Sequence, residues 1–234
     1  MKMLVVLNHK MNLSIDEIRV YEKKLRKYEV VVMPQTPYMG LFTSGEYILG
    51  SQCISEYNAP GGISAESLTS MKVKYVLVGH AERRIVRKET DYIIAQKIRD
   101  IINNNMIPIM CVGETLAEKE AGKSLEVIQN QICHVFDQLE GNLVSVIIAY
   151  EPVWCIGSAI PPTNEEITGM IEYIKIICSE KYGLKPKMLY GGAVNAESIK
   201  TIKDVKNLAG VLVGGASLDI DEVISIYNVV NGSK

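Results

Sequence analysis

The sequence predicts an α/β fold, a single closed (β/α)8 barrel in which eight parallel strands are ringed by helices. Three observations predict it. The chain has 234 residues that are 47% hydrophobic and 22% charged, which is enough apolar material for a large core. Short apolar runs alternate with segments of helical periodicity, as in parallel βα units. No linker or low-complexity tract divides the sequence, so residues 1–234 are expected to form one domain.

Eight runs rich in apolar and β-branched residues are the predicted strands. They are nearly continuous in hydrophobicity, which is typical of strands buried on both faces. Closing such a sheet into a barrel removes its two exposed edges. The rival is an open, doubly wound sheet, which a glycine-rich turn after the first strand would favour, but this chain has Asn8-His9-Lys10 there. The predicted strands are Met3–Leu7, Val30–Met33, Tyr47–Gly50, Tyr75–Val78, Ile107–Val112, Val144–Tyr150, Lys187–Tyr190 and Val211–Val213.

Helices are predicted between these strands. Ser14 with Glu17, and Thr163 with Glu166, have the spacing of a capping box and begin two of them. Apolar residues at helical spacing follow the fourth, fifth and sixth strands, and a last helix begins near Asp221. The segments after the second and third strands are predicted to be weaker helices.

Composition and charge exclude several classes of protein. The formal net charge is −2, without the basic excess of a nucleic-acid-binding surface. No apolar stretch approaches the roughly 18 residues of a membrane span, and the amino-terminal apolar segment has no signal-peptide cleavage site. Five cysteines without a C-x-x-C pair predict neither a disulfide framework nor a zinc site. We therefore expect a cytoplasmic protein that binds neither nucleic acid nor membrane.

Residues suited to catalysis follow the predicted strands directly, at the end where barrels of this kind place their active sites. Asn8 and Lys10 follow the first strand, His80 follows the fourth and Glu151 follows the sixth. Each has an ordinary alternative as a surface or structural residue. The barrel brings all these strand ends together, however, and independent surface residues have no reason to be so distributed. The sequence therefore predicts one shared active site.

Two Gly-Gly turns predict a phosphate site beside these residues. Gly191-Gly192 follows the seventh strand and Gly214-Gly215 follows the eighth. Without side chains the backbone can approach an anion closely, and a short helix beginning at Ala216 would direct its N–H groups toward it. Lys10 would add a positive charge nearby.

This set of side chains favours proton transfer. No metal cluster, cofactor fingerprint or nucleophile triad is visible in the sequence, so no metal and no cofactor are expected. A carboxylate base could remove a proton from carbon while an imidazole and a lysine polarise the neighbouring oxygen. The resulting enediolate would eliminate phosphate if water entered, so residues 152–162 are predicted to form a lid.

Six ordered segments of the sequence resemble the triosephosphate isomerase family. The likeness runs from Leu4 to about Leu218, and chance agreement at six ordered places is negligible. The segments are Asn8-His9-Lys10-Met11-Asn12, Val78–Arg84, Cys111-Val112-Gly113-Glu114, Ala149–Gly157, Tyr190-Gly191-Gly192 and Leu212–Leu218.

The resemblance implies a TIM barrel that interconverts dihydroxyacetone phosphate and glyceraldehyde 3-phosphate, an isomerase of glycolysis and gluconeogenesis with a small phosphorylated triose as its substrate. Position by position, it implies that Glu151 is the base and His80 the electrophile. Asn8 and Lys10 would bind and polarise the substrate, with Glu82 as a supporting carboxylate. The backbone amides implied to hold the phosphate are those of Gly157, Ala193, Gly214 and Gly215.

Several positions depart from the family pattern. Ala193 and Ala81 stand where family members usually have serine, and His9 replaces the usual tryptophan. Pro161-Pro162 should stiffen the far hinge of the lid. The third loop, Tyr57–Gly62, lacks the threonine that in the family reaches into a neighbouring subunit, although a homodimer is still expected.

These departures leave three hypotheses. The chain could be a working triose-phosphate isomerase with altered lid kinetics. It could be a paralogue that isomerises a larger phosphoketose of the erythrulose phosphate type. It could also be a phosphate-binding protein that has lost catalysis, but the presence of Glu151, His80, Lys10 and Asn8 together argues against this third hypothesis.

Overall fold

The computed structural model describes residues 2–56, 60–139, 146–156 and 161–232, and these form a closed barrel. Its strands are all parallel and pair in chain order, and the last pairs with the first. The predicted (β/α)8 fold is therefore confirmed. The strands are β1 (Leu4–Asn8), β2 (Val31–Met33), β3 (Ile48–Ser51), β4 (Tyr75–Val78), β5 (Ile107–Val112), β6 (Ile147–Tyr150), β7 (Lys187–Tyr190) and β8 (Leu208–Val213).

The helices connect successive strands. Within the described ranges they are α1 (Ile15–Leu25), α2 (Ala65–Ser70), α3 (Ala81–Val86), α4 (Asp91–Asn103), α5 (Leu116–Glu120), α6 (Ser124–Phe136), α7 (Asn164–Tyr182), α8 (Ile199–Ile202) and α9 (Ile220–Asn231). None of the helices in these ranges combines the length and the apolar content that crossing a bilayer requires. Short 3-10 helices occur at Thr36–Leu41, Val153–Cys155 and Gly215–Leu218.

The predicted helix starts are confirmed where a side chain caps the backbone. The side chains of Ser14 and Thr163 accept hydrogen bonds from the third helical N–H of α1 and α7, and both capping boxes are complete. The helix predicted to begin at Ala216 is instead a four-residue 3-10 helix that begins at Gly215. It ends at Leu218, and the next residue, Asp219, has extended backbone angles and caps α9 with its side chain.

One predicted strand boundary differs clearly among those in the described ranges. β8 begins at Leu208, three residues before the predicted Val211. The intervening residues include Ala209 and Gly210, which lack the β-branched side chains that mark a strand in sequence. The predicted start of the sixth strand, Val144, lies outside the described residues.

Alternate residues of each strand face the barrel interior and the surrounding helices. In β1, Val6 belongs to the inner apolar cluster, whereas Val5 and Leu7 belong to the outer one. Both faces are therefore apolar, which explains the nearly continuous hydrophobicity of the strands. The other buried residues of the inner cluster are Val31, Met33, Tyr75, Leu77, Ile109, Cys111, Ile147, Ala149, Leu189 and Leu212.

The same alternation determines which residues reach the open end of the barrel. Asn8 follows the inward-facing Val6 by two positions, and Glu151 follows the inward-facing Ala149 by two positions. Because side chains on a strand alternate with a period of two, both polar residues point into the mouth of the barrel. His9 has the opposite parity and lies between the barrel and α1, where it packs against Tyr21.

Candidate active site

A cavity of about 360 Å³ lies at the carboxyl ends of the strands. Side chains that follow β1, β4 and β6 line one part of it, and the turns that follow β7 and β8 line the other. It brings together most of the residues that the sequence singled out. The predicted residues that line it are Asn8, Lys10, His80, Glu151, Ala193, Gly214 and Gly215.

Two predicted residues do not appear in this lining. Glu82 lies behind Lys10, and its Oε1 is 2.5 Å from the lysine Nζ. The Lys10 ammonium donates a hydrogen bond to Glu82 and thereby lowers the pKa of that carboxyl. Gly157 and residues 158–160 of the predicted lid lie outside the described residues.

Lys10 has an uncommon backbone conformation. Its φ is 50°, in the left-handed region that few residues other than glycine adopt. Neighbouring groups hold it there, because its N–H donates to Asn8 Oδ1 over 3.1 Å and its carbonyl accepts from Gln52 Nε2 over 2.8 Å. The Gln52 amide also donates to the carbonyl of Met33 over 2.9 Å. Gln52 was not among the predicted site residues, and only its position after the third strand could have signalled it.

His80 is oriented by the first turn of α3. The backbone N–H of Glu82 donates to His80 Nδ1 over 3.3 Å. A ring nitrogen that accepts a hydrogen bond carries no proton, so the neutral imidazole has its proton on Nε2. Nε2 lies 3.4 Å from Glu151 Oε1. His80 can therefore offer a hydrogen-bond donor beside Glu151, the only carboxylate among the described residues that line the cavity.

Glu151 is 3% exposed, and its main chain lies unusually close to the end of β5. Its N–H donates to the carbonyl of Val112 over 2.8 Å. A Cβ atom added to Gly113 would lie 1.8 Å from the carbonyl oxygen of Glu151, so only glycine permits this approach. The segment Cys111-Val112-Gly113-Glu114 thus serves the site by placing the backbone of Glu151, a role that the sequence did not indicate.

Cys111 lies beside the Glu151 carboxylate. Burial raises the pKa of the Cys111 thiol well above its usual range, and the neighbouring carboxylate raises it further. The thiol is therefore protonated and can donate to the carboxylate. The sequence did not indicate this contact, because it depends on the register of β5 with β6.

Trp154 is tied to neighbouring elements at the beginning of the predicted lid. Its Nε1 donates to Glu114 Oε1 over 2.8 Å, and the hydroxyl of Tyr150 donates to the same oxygen over 3.1 Å. Lys119 Nζ lies 3.5 Å from the centroid of the indole ring and 3.1 Å from Glu166 Oε1 on α7. The segment that follows Glu151 is thus held by Glu114, which follows β5, and by Lys119 on α5.

Backbone and small side chains form the part of the cavity near β7 and β8. A Cβ atom on Gly192 would lie 2.1 Å from Tyr190 Oη, so this turn also requires glycine. A Cβ atom on Gly215 would meet nothing within 4 Å. Ala193, where the family usually has serine, lines the cavity with a methyl group and accepts a hydrogen bond from Ser198 Oγ through its carbonyl. This side of the cavity is suited to an anion.

His9 does not reach the cavity. It is fully buried, and neither ring nitrogen has a hydrogen-bond partner among the described residues. Its ring packs edge-on against Tyr21, with 4.8 Å between the ring centroids. Burial lowers the pKa of His9 to about 4, so the ring is neutral near pH 7.

Comparison with known proteins identifies one family. Residues 3–230 match the family model described as triosephosphate isomerase. Relatives named triosephosphate isomerase include a protein of Clostridium tetani, 36% identical over 97% of this chain and 96% of the relative. A protein of Mycoplasmopsis pulmonis is 35% identical over 96% of each chain. A third, from Alkaliphilus oremlandii, is 33% identical over 97% of this chain and 99% of the relative.

Proposed function

The chain belongs to the triosephosphate isomerase family, and we propose that the cavity at its strand ends performs the isomerisation through Glu151, His80, Lys10 and Asn8. The reaction interconverts dihydroxyacetone phosphate and glyceraldehyde 3-phosphate, a step of glycolysis. One observation carries the assignment of residues: side chains that follow three separate strands, β1, β4 and β6, line the same 360 Å³ cavity.

In the proposed mechanism Glu151 is the base. Its carboxylate takes the proton from C1 of dihydroxyacetone phosphate, and the electron pair of the C–H bond forms a C1–C2 double bond. The C2 carbonyl oxygen becomes an enediolate oxygen. Glu151 then returns a proton to C2, which gives the aldehyde. A positioned base of this kind typically contributes about 10²–10⁴-fold to the rate.

His80 and Lys10 stabilise the negative charge that develops on oxygen. The Nε2–H of His80 donates to the enediolate oxygen, and the Lys10 ammonium adds a positive charge. One well-placed donor of this kind contributes roughly 2.7–4 kcal/mol. The net reaction also moves the hydroxyl proton between the two oxygens, and Nε2 is the group placed to exchange it. Asn8, which is 4% exposed, holds the backbone of Lys10 and adds a polar group to the cavity.

The turns after β7 and β8 bind the phosphate of the substrate. The backbone N–H groups of Ala193, Gly214 and Gly215 are the proposed donors, and that of Gly157 in the lid is the fourth. The phosphate takes no part in the bond changes, so its binding energy is available to position the reacting carbons.

Turnover of glyceraldehyde 3-phosphate by the purified chain tests the assignment of the base. Glu151→Gln keeps the shape of the side chain but cannot accept a proton, so kcat should fall by about 10²–10⁴-fold. Glu151→Asp keeps the carboxylate but moves it away from the substrate. The factor by which kcat falls should therefore be larger than the factor by which KM rises. EDTA should leave the rate unchanged.

Glu197→Gln is the matched control, because this glutamate lies outside the cavity with a side chain that is 84% exposed. Its turnover should equal that of the unaltered chain. If Glu151→Gln turned over as fast as this control, Glu151 would not be the base.

We further propose that the chain forms a homodimer in the cytoplasm. Met11 is 85% exposed and Val86 is 72% exposed, and the ion pair between Lys10 and Glu82 links the two segments that carry them. Large apolar side chains exposed together favour a protein contact. Light scattering during gel filtration should give about twice the chain mass, and the mass of one chain would contradict the dimer.

A further inference from the structure

The hydrogen-bonded pairing of β1 with β8 ends at Leu7 and Val213. Beyond this pair the two segments have different tasks in the proposed reaction. Asn8 and Lys10 line the part of the cavity where proton transfer occurs, whereas the turn after β8 lines the part that holds the phosphate. Strand pairing alone therefore does not fix how the segment after β1 lies against the turn after β8.

Ser217 joins these two segments beyond the end of the strand pairing. It is fully buried and belongs to the 3-10 helix that follows β8. Its Oγ donates to the carbonyl of Asn8 over 3.0 Å, and its N–H donates to the carbonyl of Gly214 over 2.9 Å. The Ser217 hydroxyl thus connects the end of β1 to the turn after β8, next to the last pair of the two strands.

Asn8 carries this connection on to Lys10. Asn8 Oδ1 accepts from the N–H of Lys10 over 3.1 Å and helps to hold the left-handed backbone of that residue. A Cβ atom added to Gly214 would lie 3.7 Å from Lys10 Cε, so the stem of the lysine lies against the turn. Because Ser217 bonds both Asn8 and Gly214, it acts on the position of the Lys10 ammonium relative to the turn.

Tyr21 supports Ser217 from α1. Its hydroxyl donates to the carbonyl of Ser217 over 2.7 Å, and both groups are buried. Burial raises the pKa of Tyr21, so the hydroxyl keeps its proton and remains a donor. The Tyr21 ring also packs edge-on against His9, which lies between Asn8 and Lys10 in the chain. Tyr21 therefore contacts both of the segments that Ser217 joins.

We propose that Ser217 is a positioning residue that fixes the spacing between the phosphate site and the groups that polarise the substrate carbonyl, with Tyr21 as its support. This inference rests on the proposed function. Neither residue is among the described residues that line the cavity, so both act through Asn8, Lys10 and Gly214. A substrate held at both ends needs the correct spacing, because a misplacement of about 1 Å can cost about 10²-fold in rate.

Calorimetric titration of Ser217→Ala with two ligands tests the proposal. Inorganic phosphate occupies the phosphate site alone. 2-Phosphoglycolate adds a carboxylate that would lie beside Lys10, where the enediolate oxygen forms. The substitution removes the bond to the Asn8 carbonyl and keeps the backbone bonds of residue 217. The Kd of 2-phosphoglycolate should rise about tenfold, while the Kd of phosphate should stay within about twofold.

Ser51→Ala is the matched control. Ser51 is also buried, its Oγ donates to the carbonyl of Cys53 over 2.7 Å, and it lies outside the cavity. Both Kd values should equal those of the unaltered chain. A general loss of structure in Ser217→Ala would weaken the two ligands by the same factor. Equal factors, or no change for either ligand, would overturn the proposal.

Tyr21→Phe tests the same connection with a smaller change and decides the matter if Ser217→Ala does not fold. It removes the bond to the Ser217 carbonyl and keeps the ring. The Kd of 2-phosphoglycolate should rise about threefold relative to that of phosphate. Tyr47→Phe is its control, since the buried Tyr47 hydroxyl donates to the carbonyl of Ser44 outside the cavity. Equal ratios in these two variants would contradict the support assigned to Tyr21 and, without a folded Ser217→Ala, the proposal itself.

Steady-state kinetics of glyceraldehyde 3-phosphate gives a second measurement. Because the spacing affects both ends of the substrate, Ser217→Ala should lower kcat and raise KM together, with kcat/KM about tenfold or more below that of Ser51→Ala. A kcat/KM equal to that of Ser51→Ala would overturn the proposal. Failure of the proposed function would instead appear as no isomerisation by the unaltered chain, and the two Kd values could still be compared.

Discussion

The two halves of the substrate cavity are built in different ways. The acid–base half consists of Asn8, Lys10, His80 and Glu151, and the anion half consists of the turns 191–195 and 214–216. In the acid–base half each side chain meets a specific polar neighbour, such as the N–H of residue 82 at Nδ1 of His80. The anion half presents backbone and small side chains instead.

The difference teaches which changes each half can tolerate. In the acid–base half the function depends on the identity of each side chain, because a particular atom of that side chain must accept or donate a proton. In the anion half the course of the backbone matters most, so Ala193 can replace the family's serine and still offer its N–H. Substitutions in the first half should therefore act on kcat, and substitutions in the second should act on KM.

His80→Gln should have the largest effect among the changes that test this contrast. Glutamine keeps a polar side chain but cannot both accept from residue 82 and donate to the substrate as the imidazole does. The loss of one donor to the developing oxyanion predicts a fall in kcat of about 10²–10³-fold, with little change in KM. Steady-state kinetics of glyceraldehyde 3-phosphate measures both constants.

His134→Gln is its control, because the His134 side chain is 63% exposed on α6 and lies outside the cavity. A rise in KM without a fall in kcat for His80→Gln would place His80 with the binding groups and break the contrast.

His9 sharpens the contrast from outside the cavity, since it is a second buried imidazole that the proposed mechanism does not use. The pKa of His9 is lowered from 6.5 to about 4 by burial. Below pH 6.5 the unfolded chain binds a proton that the folded chain does not, so the free energy of unfolding falls as the pH falls from 6.5 to 4. The loss amounts to about 3 kcal/mol.

His9→Phe should remove this part of the acid sensitivity. Urea unfolding of both proteins at pH 7 and at pH 4.5 measures it, and the variant should gain about 2–3 kcal/mol relative to the unaltered chain on acidification. His134→Phe replaces an exposed imidazole, so its free energy of unfolding should change with pH as that of the unaltered chain does. Equal pH dependence of His9→Phe and the unaltered chain would show that His9 takes up its proton in the folded state.

Gly215→Ala should have the smallest effect of the three substitutions. Its effect should be on the anion half of the cavity. A Cβ atom there meets nothing within 4 Å, so the protein should fold normally. The added methyl group competes with the phosphate for space, and KM should rise about tenfold, equal to about 1.4 kcal/mol, while kcat changes less.

Gly40→Ala is the matched control, since its Cβ atom would also meet nothing within 4 Å and it lies outside the cavity. A fall in kcat for Gly215→Ala at unchanged KM would mean that the turn after β8 acts on the chemistry and not on phosphate binding.

Much of the fold could be predicted because the signals for it are local. Apolar runs of β-branched residues gave β4, β5 and β7 with their observed limits. A serine or threonine three residues before a glutamate gave the starts of α1 and α7. The positions of Asn8 and Glu151 were also predictable, since each directly follows a strand predicted from the sequence.

The supporting contacts could not be predicted, because they depend on distances between segments far apart in sequence. The close approach of Gly113 to the carbonyl of Glu151 follows from the register of β5 with β6. The hydrogen bond from Gln52 to Lys10 joins residues 42 positions apart. His9 is buried without a hydrogen-bond partner among the described residues because it faces α1. The sequence beside Asn8 did not indicate this burial.

The exchange of hydrogen on substrate carbon tests the proposed division of labour most directly. Dihydroxyacetone phosphate incubated with the protein in D₂O should exchange one hydrogen at C1, as followed by proton NMR. With Glu151→Gln this exchange should nearly cease, while the Kd for inorganic phosphate should stay within about twofold of that of the unaltered chain. Undiminished exchange in Glu151→Gln, or loss of phosphate binding together with exchange, would contradict the separation of the acid–base half from the anion half.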